Sequence, residues 1–66
     1  MKKGDRGEDV KWVQWQLINK NYSCGQSGID GIFGNATDKA LRDFQRASGL
    51  VADGICGPLT KKAFLQ

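Results

Sequence analysis

The sequence predicts an all-α domain, a small set of three helices joined by turn-rich loops. Apolar residues recur at helical spacing in three separate segments. No segment sustains the period of two that a half-buried strand shows. A turn motif beginning Asp-Gly stands ahead of two of the three segments.

Helix 1 is expected over residues 8–19. Glu8 and Asp9 place acids in its first turn and Lys20 places a base at its end, both complementary to the helix dipole. Val10, Val13 and Leu17 share one face, with Asn21 as its extension. Helix 2 is expected over residues 35–48, with Ala36, Ala40, Leu41, Phe44 and Ala47 as its apolar stripe. Asp38 and Arg42, and Lys39 and Asp43, are opposite charges four residues apart, which suits a solvated face. Gly49 fits a left-handed stop, after which Leu50 folds back on the last turn. Helix 3 is expected to start at Pro58, where a missing N–H costs nothing, and to present Leu59, Ala63 and Phe64.

The turn motif is an internal near-repeat. Residues 30–41 read DGIFGNATDKAL and residues 53–64 read DGICGPLTKKAF, in register 23 residues apart. Two copies are too few for a solenoid, so one device is used twice within one domain. Gly31 and Gly54 supply turn angles that a side chain disfavours, and Gly34 and Gly57 mark helix boundaries. Asp30 and Asp53 are expected near the free N–H groups of the helix starts, a structural role that outweighs a catalytic one. Any strand is expected only as a pairing of two or three residues near these turns.

The 66 residues amount to one domain, 1–66, with 1–3 expected as a loose start or an addition ahead of an excised domain. A chain this short buries only about 60% of its unfolded surface, which leaves little room for an enclosed active site. There is no histidine, so nucleophile–histidine pairs are excluded, and two thiols do not make a metal site; no catalytic residue, metal or cofactor is expected. The adjacent acids Glu8 and Asp9 sit at a helix start rather than across a cleft. The net charge of +3 is spread along the chain, a poor nucleic-acid footprint. No apolar run approaches the roughly 20 residues of a membrane helix, and Met1-Lys2-Lys3-Gly4 lacks the apolar stretch of a signal peptide. Neither nucleic acid nor membrane is an expected partner. Cys24 and Cys56 permit one disulfide, worth about 3–4 kcal/mol in the chain-entropy account; the alternative is two semi-buried thiols.

The ordered residues carry a resemblance. Val10-x-x-Val13-Gln14-x-x-Leu17 is followed by Tyr22, then Asp30-Gly31-x-Phe33-Gly34-x-x-Thr37. Ala40-Leu41-x-x-Phe44-Gln45, Gly49-Leu50 and Asp53-Gly54-x-x-Gly57-Pro58-x-Thr60-x-x-Ala63 complete the set. Over residues 4–66 this resembles the type 1 peptidoglycan-binding domain. The resemblance implies an orthogonal three-helix bundle that binds bacterial cell-wall peptidoglycan without catalysis. It also implies a covalently linked amidase, muramidase or peptidase, working outside the cell at the wall or within a phage endolysin. Lys20-Asn21 stands where the family often has Leu-Gly, and Cys24 and Cys56 are unusual for it.

The candidate ligand contacts are Trp12, Trp15, Tyr22, Asp30, Phe33, Asn35 and Gln45. Trp12 and Trp15 lie off the Val10-Val13-Leu17 face, with Ile18 and Tyr22 continuing the strip from Trp15; aromatic rings there can stack on sugar faces, or pack on a partner or on the core. Phe33 is weighed between ligand contact and core. Asn35 and Gln45 are polar contacts, although Gln14 and Gln45 equally suit hydrogen bonds to backbone between helices. The groove is expected between the 22–35 loop and helix 1, where Tyr22, Asp30 and Asn35 meet stem-peptide or sugar amides. The rival reading is a docking module that packs on its own catalytic domain or self-associates.

Overall fold

The computed structural model describes residues 1–25 and 28–66, so residues 26 and 27 of the expected 22–35 loop lie outside the described residues. Among the described residues there are three helices: α1 (Glu8–Asn19), α2 (Asn35–Ala47) and α3 (Pro58–Phe64). The bounds follow from local chemistry. Each helix begins after a glycine, Gly7, Gly34 or Gly57, which has no side chain to cap it. Pro58 opens α3 as expected.

Helices α1 and α2 end alike. Gly49 is left-handed at φ 76°, Leu50 N–H donates to Gln45 O at 2.8 Å and Gly49 N–H donates to Arg46 O at 3.2 Å. At the end of α1, Asn21 takes the left-handed position at φ 70°, Tyr22 N–H donates to Leu17 O at 2.9 Å and Asn21 N–H donates to Ile18 O at 3.0 Å. These pairs satisfy the last carbonyls of each helix. Asn21 is therefore an exposed stop, not an extension of the apolar face.

The core comprises Val10, Val13, Leu17, Cys24, Phe33, Ala40, Leu41, Phe44, Cys56 and Phe64. Four aromatic rings run through it as a ladder. Trp12 meets Phe64 edge-on at 5.7 Å, Phe64 stacks on Phe44 at 4.4 Å, and Tyr22 meets Phe44 edge-on at 5.9 Å. All three helices are joined this way, α1 through Trp12, α2 through Phe44 and α3 through Phe64, by ring pairs worth about 0.5–1.5 kcal/mol each beyond area burial.

The buried faces differ from the expected stripes. Ala36, Ala47 and Leu59 are exposed, whereas Gln14, Thr37, Gln45 and Thr60 are buried. Each helix turns its polar Gln or Thr inward because those side chains have hydrogen-bond partners there, and an alanine methyl has little to gain by displacing them. The solvated charge pairs form as expected, Arg42–Asp38 at 3.1 Å and Lys39–Asp43 at 3.2 Å.

Residues 1–7 run across both turn motifs. Gly7 N–H donates to Gly31 O and Phe33 N–H to Asp5 O, each at 2.9 Å, beside a single antiparallel bridge between Arg6 and Ile32. Cys56 N–H donates to Met1 O at 2.7 Å, and the Met1 ammonium donates back to Cys56 O at 3.2 Å. The start expected to be loose thus lies hydrogen-bonded against the second turn, because Phe33 and Cys56 are equivalent positions of the repeat and both offer backbone groups to the same segment.

The Asn21 stop yields a prediction. Glycine pays no Cβ penalty at positive φ, so Asn21→Gly should raise stability in urea unfolding by about 0.5–1 kcal/mol, and Asn21→Val should lower it by about 1–2 kcal/mol.

Candidate functional site

The site is built on two copies of one polar framework. In the first, Gln14 Nε2 donates to Asp30 Oδ1 at 2.9 Å, Ile32 O at 3.1 Å and Thr37 Oγ1 at 3.0 Å. Gly31 N–H donates to Gln14 Oε1 at 2.9 Å. The second repeats it bond for bond. Gln45 Nε2 donates to Asp53 Oδ1 at 3.2 Å, Ile55 O at 2.9 Å and Thr60 Oγ1 at 3.1 Å, while Gly54 N–H donates to Gln45 Oε1 at 3.1 Å. The amide orientation is dictated by its partners: a backbone N–H can only donate and a carbonyl can only accept. Both glutamines are buried, and no buried side-chain nitrogen or oxygen among the described residues lacks a partner.

Each aspartate also closes its turn. Ile32 N–H donates to Asp30 Oδ1 and Ile55 N–H to Asp53 Oδ1, each at 2.9 Å. The expected structural role stands, with different partners. The carboxylates bond the N–H two residues on and a glutamine amide, not the free N–H groups of the helix starts, because the short Asp side chain reaches its own turn first. The Gln14 amide, then the Ile32 N–H, hold Asp30 below the usual carboxylate range. The Ile55 N–H is the main cause holding Asp53 low. Gly31 and Gly54 are left-handed at φ 77° and 73°, and a Cβ on Gly54 would run into the Asp38–Arg42 pair.

Beside each framework lies an open groove. The first, of about 190 Å³, is lined by Cys24, Gly25, Asp30, Ile32 and residues 34–37. The second, of about 250 Å³, is lined by Gln45, Leu50, Val51, Asp53, Ile55 and residues 57–60. A third hollow, also about 250 Å³, holds Trp12 with Met1, Asp9, Lys61 and Leu65.

The expected contact residues divide among these places. Asp30 and Asn35 share the first groove. Tyr22 lies half-buried against Phe44 and lines none of the three. Trp12 is half-buried on Phe64, and Trp15 stands 51% exposed on α1. Two candidates need correction. Phe33 is fully buried in the core, where its ring has no face to offer a polymer. Gln45 lies at the wall of the second groove, but its amide is consumed by the turn it supports, so of its two alternative readings the hydrogen-bonding one describes the geometry. Cys24 and Cys56 are both free and buried, with no disulfide between them. Cys24 Sγ lies 3.9 Å from Gln14 O in the first framework, whereas Cys56 pairs with Met1; burial pushes both thiols up. Thr37 and Ile32 in the first groove, and nearly all of the second, were missed from sequence. The near-repeat was the available signal, since a groove lined by one copy implies a groove lined by the other.

Three packed helices and two Asp-Gly turns, each with an open groove beside it, make up a small helical module. Residues 6–64 match the family described as "Putative peptidoglycan binding domain", and the chain belongs to that family. It is 41% identical over 63 residues to the N-acetylmuramoyl-L-alanine amidase CwlL of Bacillus licheniformis, covering 96% of this chain and 18% of that protein. The crystal structure of the SleB N-terminal domain superposes with a TM-score of 0.91 at 38% identity, over 98% of this chain and 86% of that one. The Burkholderia AP3 phage endolysin superposes at 0.88 with 45% identity, over 97% of this chain and 24% of the endolysin. The chain therefore spans about a fifth to a quarter of the amidase and the endolysin.

Two predictions test the framework. Gln14→Leu leaves the Gly31 N–H, the Ile32 carbonyl and the Asp30 carboxylate without their partner, so chemical unfolding should show a loss of about 3 kcal/mol or more. Asp30 and Asp53 have folded values below the unfolded one of about 3.9, so their stabilisation is full above that pH and lost as pH falls through the folded values. The melting temperature should fall as pH drops through and below about 4, and fall less in the Asp30→Asn, Asp53→Asn double variant, which keeps the acceptor oxygen without the charge.

Proposed function

We propose that this chain binds peptidoglycan without chemical conversion and holds a linked hydrolase at the bacterial cell wall. Membership of the peptidoglycan-binding family supports the binding, and the names of the amidase and endolysin relatives support the linked hydrolase. The observation that carries the reading to a place on the surface is the first groove. There Asp30, held ionised by Gln14, and the exposed Asn35 amide stand on one opening. A carboxylate acceptor beside an amide that both donates and accepts matches the acetamido groups and peptide N–H groups of the polymer. Weak single-site binding suffices, since attachment to an enzyme converts it into a high local concentration of that enzyme at the wall.

A second reading rests on Trp15, 51% exposed, and Ile18, 40% exposed, which sit one turn apart on α1 and line neither groove. An apolar pair in that position suits docking on a linked domain.

Co-sedimentation with purified sacculi separates the two. Asn35 is exposed and outside the core, so Asn35→Ala should leave the melting temperature unchanged and lower the sedimented fraction several-fold, while Trp15→Ala leaves the fraction as it was. Loss with Trp15→Ala alone would move the contact surface to α1.

A further inference from the structure

The groove beside the second framework has no role in the reading above, yet it is the register copy of the first. Every lining position from 30 to 37 in the first groove has its counterpart, 23 residues on, in the lining of the second. The framework behind both is the same set of hydrogen bonds from a buried glutamine. Only the lining chemistry diverges. Asn35 becomes Pro58 and Ala36 becomes Leu59. Leu50 and Val51, from the loop after α2, line the second groove, and Cys24 and Gly25, from the loop after α1, line the first.

The second opening is thus apolar with one charged atom group. Val51 is 79% exposed, Leu59 70% and Ile55 48%, so three large side chains from two elements surround it without covering one another. At its edge the Asp53 carboxylate uses Oδ1 for the Ile55 N–H and the Gln45 amide, while Oδ2 accepts no hydrogen bond among the described residues. Its ionised form is favoured, chiefly by the Ile55 N–H and also by the charge of Arg42, whose guanidinium donates to the adjacent Ala52 carbonyl, which leaves Oδ2 as a negative acceptor at the mouth of an apolar trough.

We propose that this groove is a second peptidoglycan subsite that takes the stem peptide, seating alanyl methyl groups against Leu59, Val51 and Ile55 and receiving a peptide N–H or a free amine at Asp53 Oδ2. The proposal rests on the wall-binding reading and deepens it. The polymer is a strand of acetamido sugars carrying pendant alanine-rich, amine-bearing peptides, so one segment offers a polar element to the first groove and an apolar, cationic one to the second. A sugar ring fits the second groove poorly, because its hydroxyls would face three aliphatic side chains and a single acceptor. Two weak contacts on one rigid body add through effective concentration, which makes retention on an insoluble polymer sensitive to the loss of either.

The test combines sacculus co-sedimentation with amide chemical-shift titration, using two soluble probes: an alanyl stem tetrapeptide and an N-acetylated glycan disaccharide. Leu59 is exposed, so Leu59→Asp should keep the wild-type melting temperature and amide spectrum, and Asp53→Asn serves as a milder companion that keeps the turn acceptor. The tetrapeptide should shift the amides of residues 51, 55 and 59. Leu59→Asp should abolish those shifts and reduce sacculus retention about tenfold. Asn35→Ala should leave the tetrapeptide shifts in place. Tetrapeptide shifts confined to residues 24–37, or full retention by Leu59→Asp, would overturn the second subsite while leaving wall binding intact. Failure of the wild-type chain to sediment with sacculi would overturn both readings together.

Discussion

The whole structure depends on a buried side-chain amide being satisfied at four points, three in one turn and one at the start of the helix that follows. An Asp-Gly turn packed against a helix strands backbone groups away from water, and each unpaired group costs about 1–3 kcal/mol. Gln14 and Gln45 each supply the missing complement, an acceptor for the glycine N–H and donors for a carbonyl, a carboxylate and a threonine hydroxyl. The amide thereby ties a helix, the turn after it and the first turn of the next helix into one unit. With α1 serving the first turn and α2 the second, the chain is two interlocked units sharing α2.

Around that polar frame the apolar core is small. A ladder of four rings runs through it and joins the three helices, with Trp12 and Tyr22 at its two half-buried ends. Those two aromatics therefore face the core on one side and the surface on the other. The N-terminal segment closes the arrangement by offering backbone partners to Phe33 and Cys56, the equivalent residues of the two turns. A frame held by directional bonds presents its grooves already shaped, so a ligand need not order the loops that line them, and that lowers the entropy cost of binding.

Much of this was readable residue by residue. Helix bounds followed from Glu8 and Asp9, from Gly34 and Gly57 and from Pro58, because glycine, proline and first-turn acids act locally. The inward faces were less legible. Ala36, Ala47 and Leu59 have apolar side chains at plausible spacing, yet the helices turn Thr37, Gln45 and Thr60 inward, since a fully bonded polar group is as well placed in a core as a methyl. Phe33 was legible as a residue to be buried but not as one unavailable to ligand; its neighbours along the chain, Ile32 and Gly34, are the ones that line the groove.

The amino-acid sequence by itself determined that this protein is three helices with a duplicated turn, and the ordered motifs resembled a family whose members bind the bacterial wall. These are consequences of local preference and of pattern, and local preference needs no partner to express itself. Tertiary structure alone decided that Gln14 and Gln45 hold the turns, that Cys24 and Cys56 stand in separate surroundings, and that the repeat produces two grooves of unlike lining. A hydrogen bond from residue 14 to residue 37, or a groove shared by residues 24 and 36, joins positions whose proximity no local spacing records; only the packing of α1 on α2 brings them together.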